Sequence, residues 1–176
     1  MGECLRISCC GDNRMGLLDG QVAIANHLAL PLVDASYASC GVDISALSVN
    51  EVKRTVVPLM KEQGVGVASL AAPIGYQTIS DGAAFTEQLE QLRHVCDLAD
   101  TLGCRWIRVG TFCPDGSLGH QDASLQVFDC LTKVVEVCRI NGMRVLVANH
   151  HGHFASTSER CKRLGDYFGS NNLQFA

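Results

Sequence analysis

Short apolar runs rich in Val, Ile and Leu alternate along the chain with longer stretches in which apolar residues recur at every third or fourth position. The runs read as strands and the longer stretches as amphipathic helices. Strands are predicted at residues 5–10, 32–37, 65–72, 105–110, 143–149 and 173–176, and helices at 17–30, 49–63, 85–102, 124–141 and 158–168. Strand and helix repeated in this order imply parallel strands joined by helical crossovers.

The ends of the helices carry their own signals. Ser48 with Glu51, and Ser156 with Glu159, have capping-box spacing, in which each side chain satisfies a backbone donor left open by the first helical turn. Gly64, Gly103 and Gly142 follow helices at a regular interval of 39 residues, where a left-handed residue turns the chain back toward a strand. Pro58 removes a hydrogen bond inside the second helix and is expected to kink it. Phe85, Leu89, Leu92, Cys96, Ala99 and Leu102 in the third helix, and Leu125, Phe128, Leu131, Val135 and Cys138 in the fourth, form stripes expected to pack on a sheet.

Two architectures fit this order, an open doubly wound sheet or a (βα)8 barrel. The first usually carries a glycine-rich phosphate loop after a strand, and none occurs here. A barrel usually takes about 250 residues. The 176 residues present, read as one domain, therefore hold five to six of its βα units.

Composition narrows the partners. The chain is 47% hydrophobic and 18% charged, so it folds around a core, and its net charge of -4 with no basic run argues against nucleic acid. No apolar run approaches the roughly 20 residues needed to cross a bilayer. The start MGECLRISCCGDNR lacks the pattern of a secretory signal, so the ten cysteines read as reduced thiols of a cytoplasmic protein, most of them small buried hydrophobes.

In either architecture ligands bind beyond the carboxyl ends of the strands. The most informative stretch there is Ala148-Asn149-His150-His151-Gly152-His153, which places three of the six histidines within four residues. Neutral imidazole holds metals and moves protons near neutral pH, while a polar strand end with structural hydrogen bonds is the plain alternative. No acidic residue stands beside these histidines, so they do not form a complete metal site by themselves. Arg108 lies inside an apolar strand, on the face opposite Ile107 and Val109, where it is paired with a structural anion or turned toward an anionic ligand.

Three stretches carry a family resemblance. The segment from Gly41 to Ser48, leading through the Glu51 helix to GVGVASLAAPIG, resembles the helix, glycine, strand and Ser-Pro-Ile-Gly loop of the xylose isomerase-like barrels, the sugar phosphate isomerase and epimerase superfamily. ADTLGCRWIRVGTF is similar to that group's Ala-x-x-Leu-Gly-x-x-x-Ile-Arg strand entry, and NGMRVLVANHHGHFAST to the strand that normally ends Glu-Asn-His before a Ser or Thr helix cap. The resemblance implies a (βα)8 fold and, in active relatives, a divalent metal ion held by two Glu, an Asp and a His at strand ends. Such an ion polarises an open-chain sugar while carboxylates move a proton through an enediol.

By position, Ala148 stands where the first metal-binding Glu is expected, whereas Asn149 and His150 match the two residues after it. The remaining ligands belong to later strands, and the sequence stops at 173–176. A C-terminally incomplete chain, a diverged member that binds sugar without isomerising it, or completion by another chain each explain this, and a homo-oligomer is a separate expectation. The resemblance thus implies a sugar isomerase or epimerase-like protein, inactive as the chain stands, with Arg108, Asn149 and His150 as substrate-binding residues and a small carbohydrate as partner. A noncatalytic carbohydrate-binding or interaction module of the same fold is the alternative. The superfamily also includes the endonuclease IV type of DNA-repair enzyme, against which the negative charge and the missing ligands stand.

Overall fold

The computed structural model describes residues 8–10, 18–36, 41–79, 82–113 and 120–176. The chain divides into two compact units, Met1–Ala71 with Leu98–Arg105, and Ala72–Asp97 with Trp106–Ala176.

In the first unit β1 (Ser8–Cys10), α1 (Leu18–His27), β2 (Leu32–Ala35), a short 3-10 helix (Ile44–Ala46), α2 (Val49–Gln63) and β3 (Gly66–Ala71) follow one another. Strands β1 and β2 pair in parallel with Ser8 opposite Leu32, and β2 and β3 with Leu32 opposite Gly66, the register shifting between Val33 and Asp34. Val22 and Ala25 of α1, Val52, Val56 and Met60 of α2, and Val33, Val67 and Leu70 of the strands are buried. Spacings of three and four on the helices and of two on β2 are what bring these residues to a common interior. The Ser48–Glu51 capping box forms as the spacing predicts, with the Ser48 N–H donating to Glu51 Oε2 at 2.7 Å and the Glu51 N–H to Ser48 Oγ at 3.2 Å. Gly64 takes the left-handed conformation at the end of α2 (φ 65°), and the helix runs on through the exposed Pro58.

Helix α3 (Gly82–Thr101) spans the boundary between the units in sequence. The second unit continues with β4 (Trp106–Val109), α4 (His120–Ile140), β5 (Arg144–Val147), α5 (Ser158–Phe168) and β6 (Leu173–Phe175). Strands β4, β5 and β6 pair in parallel, with Arg108 opposite Leu146 and Val147 opposite Phe175. Ile107 and Val109 are fully buried and Arg108 half-buried, so the alternation expected of β4 holds. No described helix is long and apolar enough to cross a membrane.

Several expectations are corrected. Helices α3 and α4 begin at Gly82 and His120, not at 85 and 124, because apolar periodicity marks only the buried stripe and not the first turn. Leu125 is 60% exposed and Phe128 half-buried, whereas Leu131, Val135 and Cys138 are buried as expected, joined by Ala123, Val127 and Val134. Residues 5–7, Leu17 and Tyr37 of the predicted elements lie outside the described residues. Cys96, Cys104, Cys130 and Cys138 are buried free thiols, while Cys113 and Cys161 are partly exposed. A hydrogen bond shared with Cys96, together with burial, pushes the Cys138 thiol far above the ordinary range, so it is a core residue and not a thiolate.

The cap of α5 is also displaced by one residue. Thr157, not Ser156, accepts the Arg160 N–H, while the Ser156 N–H donates to the His153 carbonyl at 3.2 Å and closes the preceding turn. Two adjacent hydroxyl residues make this choice invisible in sequence. Thr157→Ala is expected to lower stability by about 1 kcal/mol and Ser156→Ala by much less, as read from urea denaturation midpoints.

Candidate functional site

Three loops at the carboxyl ends of β3, β4 and β5 are joined by backbone hydrogen bonds within the second unit. The Gly110 N–H donates to the Ile74 carbonyl at 3.0 Å, the Phe112 N–H to Gly75 at 2.6 Å and the Cys113 N–H to Gln77 at 3.0 Å. On the other side, the Ala148 N–H donates to Val109 and the Phe154 N–H to Phe112, both at 2.9 Å. Thr111, fully buried, accepts the Ala155 N–H on its hydroxyl at 2.9 Å. These bonds make a rigid platform from segments that are irregular one by one.

Glycine is required where the first two loops meet. A Cβ on Gly110 would lie 2.1 Å from the Gly75 carbonyl oxygen, and one on Gly75, whose φ is 83°, would lie 2.3 Å from that of Gly110. Side chains are absent there because two backbones touch.

On this platform stand three rings. Tyr76, after β3, meets His150 edge-on at 5.5 Å between centroids and His153 at 5.8 Å, and the two imidazoles are 5.4 Å apart. His153 is 9% exposed and its Nδ1 has no hydrogen-bond partner, whereas Asn149, His150 and His151 are exposed. Burial, reinforced by the neighbouring His150, lowers the pKa of His153 and favours its neutral form. Arg108 lies on β4, half-buried on the face opposite Ile107.

Of the residues expected at the site, the structure thus brings His150 together with His153 and Tyr76, and places Asn149 at the same strand end. Tyr76 was not foreseen as a partner. The signal available was its place directly after the Ala72-Pro73-Ile74-Gly75 loop, a polar aromatic residue at a strand end. A second polar group lies in the first unit, where Ser8 Oγ donates to Asp34 Oδ2 at 3.1 Å and Ser69 Oγ donates to Asp34 Oδ1.

The pKa of His153 gives a pH dependence of defined sign. The unfolded chain protonates this group near its ordinary value of about 6.5, and the folded chain only at lower pH. Its contribution is therefore constant above about pH 6.5 and becomes destabilising as pH falls below it, levelling off once the folded group is protonated too. His153→Phe is expected to flatten that part of the profile when urea midpoints are compared at about pH 7.5 and about pH 5.

Residues 33–176 match the xylose isomerase-like TIM-barrel family. The chain belongs to that family. The barrel class implied by the resemblance, one of the two that the alternation left open, is thereby established. No curated protein matches the chain in sequence. Among solved structures, a D-tagatose 3-epimerase-like protein is similar with a TM-score of 0.73 at 14% identity, over 97% of this chain and 64% of that one. The probable 3-DHS dehydratase AsbF of Bacillus anthracis is similar with a TM-score of 0.71 at 14% identity, over 97% of this chain and 62% of that one. The IOLI protein, solved with a zinc atom, is similar with a TM-score of 0.71 at 10% identity, over 94% of this chain and 60% of that one. This xylose isomerase-like chain thus spans somewhat less than two thirds of the length of each.

Metal is bound in some structures of this fold, as the zinc-bearing relative shows. The described residues of this chain do not fit one. Ala148, 4% exposed, offers no ligand where a carboxylate is expected, and nowhere among the described residues do three or more His, Cys, Asp or Glu gather so as to hold an ion.

Proposed function

We propose that this xylose isomerase-like chain recognises a small polyhydroxylated carbonyl compound, a sugar or close relative, at the strand-end platform, as part of an isomerase or epimerase-type site. The observation that carries the proposal is the Tyr76, His150 and His153 ring cluster at strand ends in a family whose structural relatives include an epimerase-like protein. Arg108 suits an anionic substituent such as a phosphate, and Asn149 and His150, exposed just after β5, suit hydroxyl and carbonyl groups.

Isomerisation and epimerisation both move a proton at a carbon next to a carbonyl. An imidazole nitrogen can take up and return such a proton, which gives His150 a chemical task beyond binding. No step is assigned to a divalent ion, because the described residues do not form a site for one. The same observation favours a second reading, a carbohydrate-binding member that does not turn its ligand over.

The two readings separate in one experiment on the full chain, offered D-tagatose, D-fructose and their phosphates with and without chelator. Binding is followed by calorimetry and turnover by the NMR signals of the epimer. His150→Ala is expected to weaken binding about tenfold, the value of one lost hydrogen bond near the upper end of its range. Turnover lost on His150→Ala supports the enzyme, and turnover that persists in chelator removes metal from its mechanism. Binding without turnover supports the second reading, and no binding of any of these sugars contradicts both.

A further inference from the structure

We infer that Nδ1 of His153 is a recognition atom, accepting a hydrogen bond from a hydroxyl of the bound sugar, so that the ligand must carry a donor at that position. The inference rests on the proposed sugar-binding role of the strand-end platform and names the residue that selects for a hydroxyl there.

The first support is an unfilled bonding capacity. His153 is 9% exposed, and Nδ1, with under 1 Å² of accessible surface, meets no partner among the described residues. Buried polar atoms in folded proteins are nearly always satisfied, and exceptions concentrate where a ligand or an ordered water belongs. Gln88 Oε1 and Gln126 Oε1 are also without partners, but these are half-buried helix residues. Of these three side chains, that of His153 stands in a strand-end loop.

The second support is rigidity. On one side of His153 its own N–H donates to the His150 carbonyl at 3.2 Å, and on the other the N–H groups of Phe154 and Ala155 donate to the Phe112 carbonyl and to Thr111 Oγ1, both at 2.9 Å. Its ring is further held edge-on against Tyr76. A fixed acceptor loses little entropy on binding and discriminates sharply between a ligand that donates and one that does not.

The third support is chemical. A neutral imidazole with its proton on Nε2 presents Nδ1 as an acceptor. A metal is a poorer occupant than a hydroxyl, because two imidazoles fall short of the three or four ligands such an ion takes and no third donor joins them among the described residues. Of the two rings packed on His153, that of His150 belongs to an exposed residue, and rotation of an exposed side chain takes picoseconds to nanoseconds. Of the two rings, that of the exposed His150 is the one placed to turn aside for a ligand.

The test uses His153→Phe, which keeps a ring of similar size and removes both nitrogens. A ketohexose that binds the wild type, from a panel headed by D-tagatose and D-fructose, is compared with its singly deoxygenated analogues on both proteins. The expected result is that the variant melts no lower than the wild type, or about 2–4 °C higher, while its affinity for the parent sugar falls about tenfold or more. For one deoxy analogue the two proteins bind equally, which identifies the hydroxyl concerned. Nitrogen-15 NMR of the wild-type side chain, independent of whether the variant folds, is expected to show the Nδ1 resonance of His153 moving on addition of sugar. A sugar that binds without moving that resonance, or a loss equal for every analogue, overturns this inference and leaves the binding role intact. A panel in which nothing binds the wild type overturns both.

Discussion

Gly110→Ala is expected to cost about 3 kcal/mol or more, the top of the range for overpacking, because the atoms met by the new Cβ are backbone and have no alternative rotamer. That Cβ would lie 2.1 Å from the Gly75 oxygen, 2.5 Å from its carbonyl carbon and 3.0 Å from the Tyr76 nitrogen. Separation of the two loops would strain the Gly110 N–H bond to Ile74 and the 2.6 Å Phe112 N–H bond to Gly75. Gly64→Ala provides the comparison, since Gly64 has φ 65° with nothing within 4 Å of its missing Cβ, and should cost only about 1–2 kcal/mol for the left-handed conformation. Urea denaturation of the two variants decides the matter. Equal losses would show that the loops are not clamped as described.

Phe112→Ala should be of similar severity, about 3–5 kcal/mol. Its ring is 1% exposed and packs edge-on against Phe85 at 5.8 Å between centroids. Its backbone, at φ 57°, sends an N–H to Gly75 and receives that of Phe154. Alanine keeps the unfavourable dihedral and loses the packing that compensates for it. Because this residue links all three loops, sugar binding should weaken together with stability, and Phe112→Leu should recover part of both. A stable Phe112→Ala protein would mean that the backbone bonds alone organise the site.

Much of the scaffold was legible because it depends on local pattern. Alternation in Trp106-Ile107-Arg108-Val109 set the faces of β4, the Ser48–Glu51 spacing gave the start of α2, and Gly64, Gly103 and Gly142 all adopt the positive φ that their positions after helices require. Local pattern failed where the chain had equivalent choices. Ser156 and Thr157 are chemically alike, and only the turn made by Ser156 leaves the cap to its neighbour. Leu125 satisfies the helical spacing yet is exposed, since a three-to-four period admits more than one adjacent stripe.

The candidate site was legible only in part, for a different reason. The histidine cluster lies within four residues and shows itself in sequence, whereas its partner Tyr76 is separated by more than seventy positions and comes near through the backbone bonds that join the three loops. The burial that favours neutral His153 and leaves its Nδ1 unpaired among the described residues is likewise a property of the assembled loops. The Ala148 departure, in contrast, is plain in both. The structure adds that this residue is buried and its N–H donates to the Val109 carbonyl.

The most direct test of the account is a backbone amide NMR titration of the whole chain with a series of ketohexoses and their phosphates. The account predicts saturable shifts confined to Tyr76, Thr111 and residues 148–155, with Arg108 joining them when the sugar is phosphorylated. Saturable shifts elsewhere, or none with any sugar in the series, would contradict it.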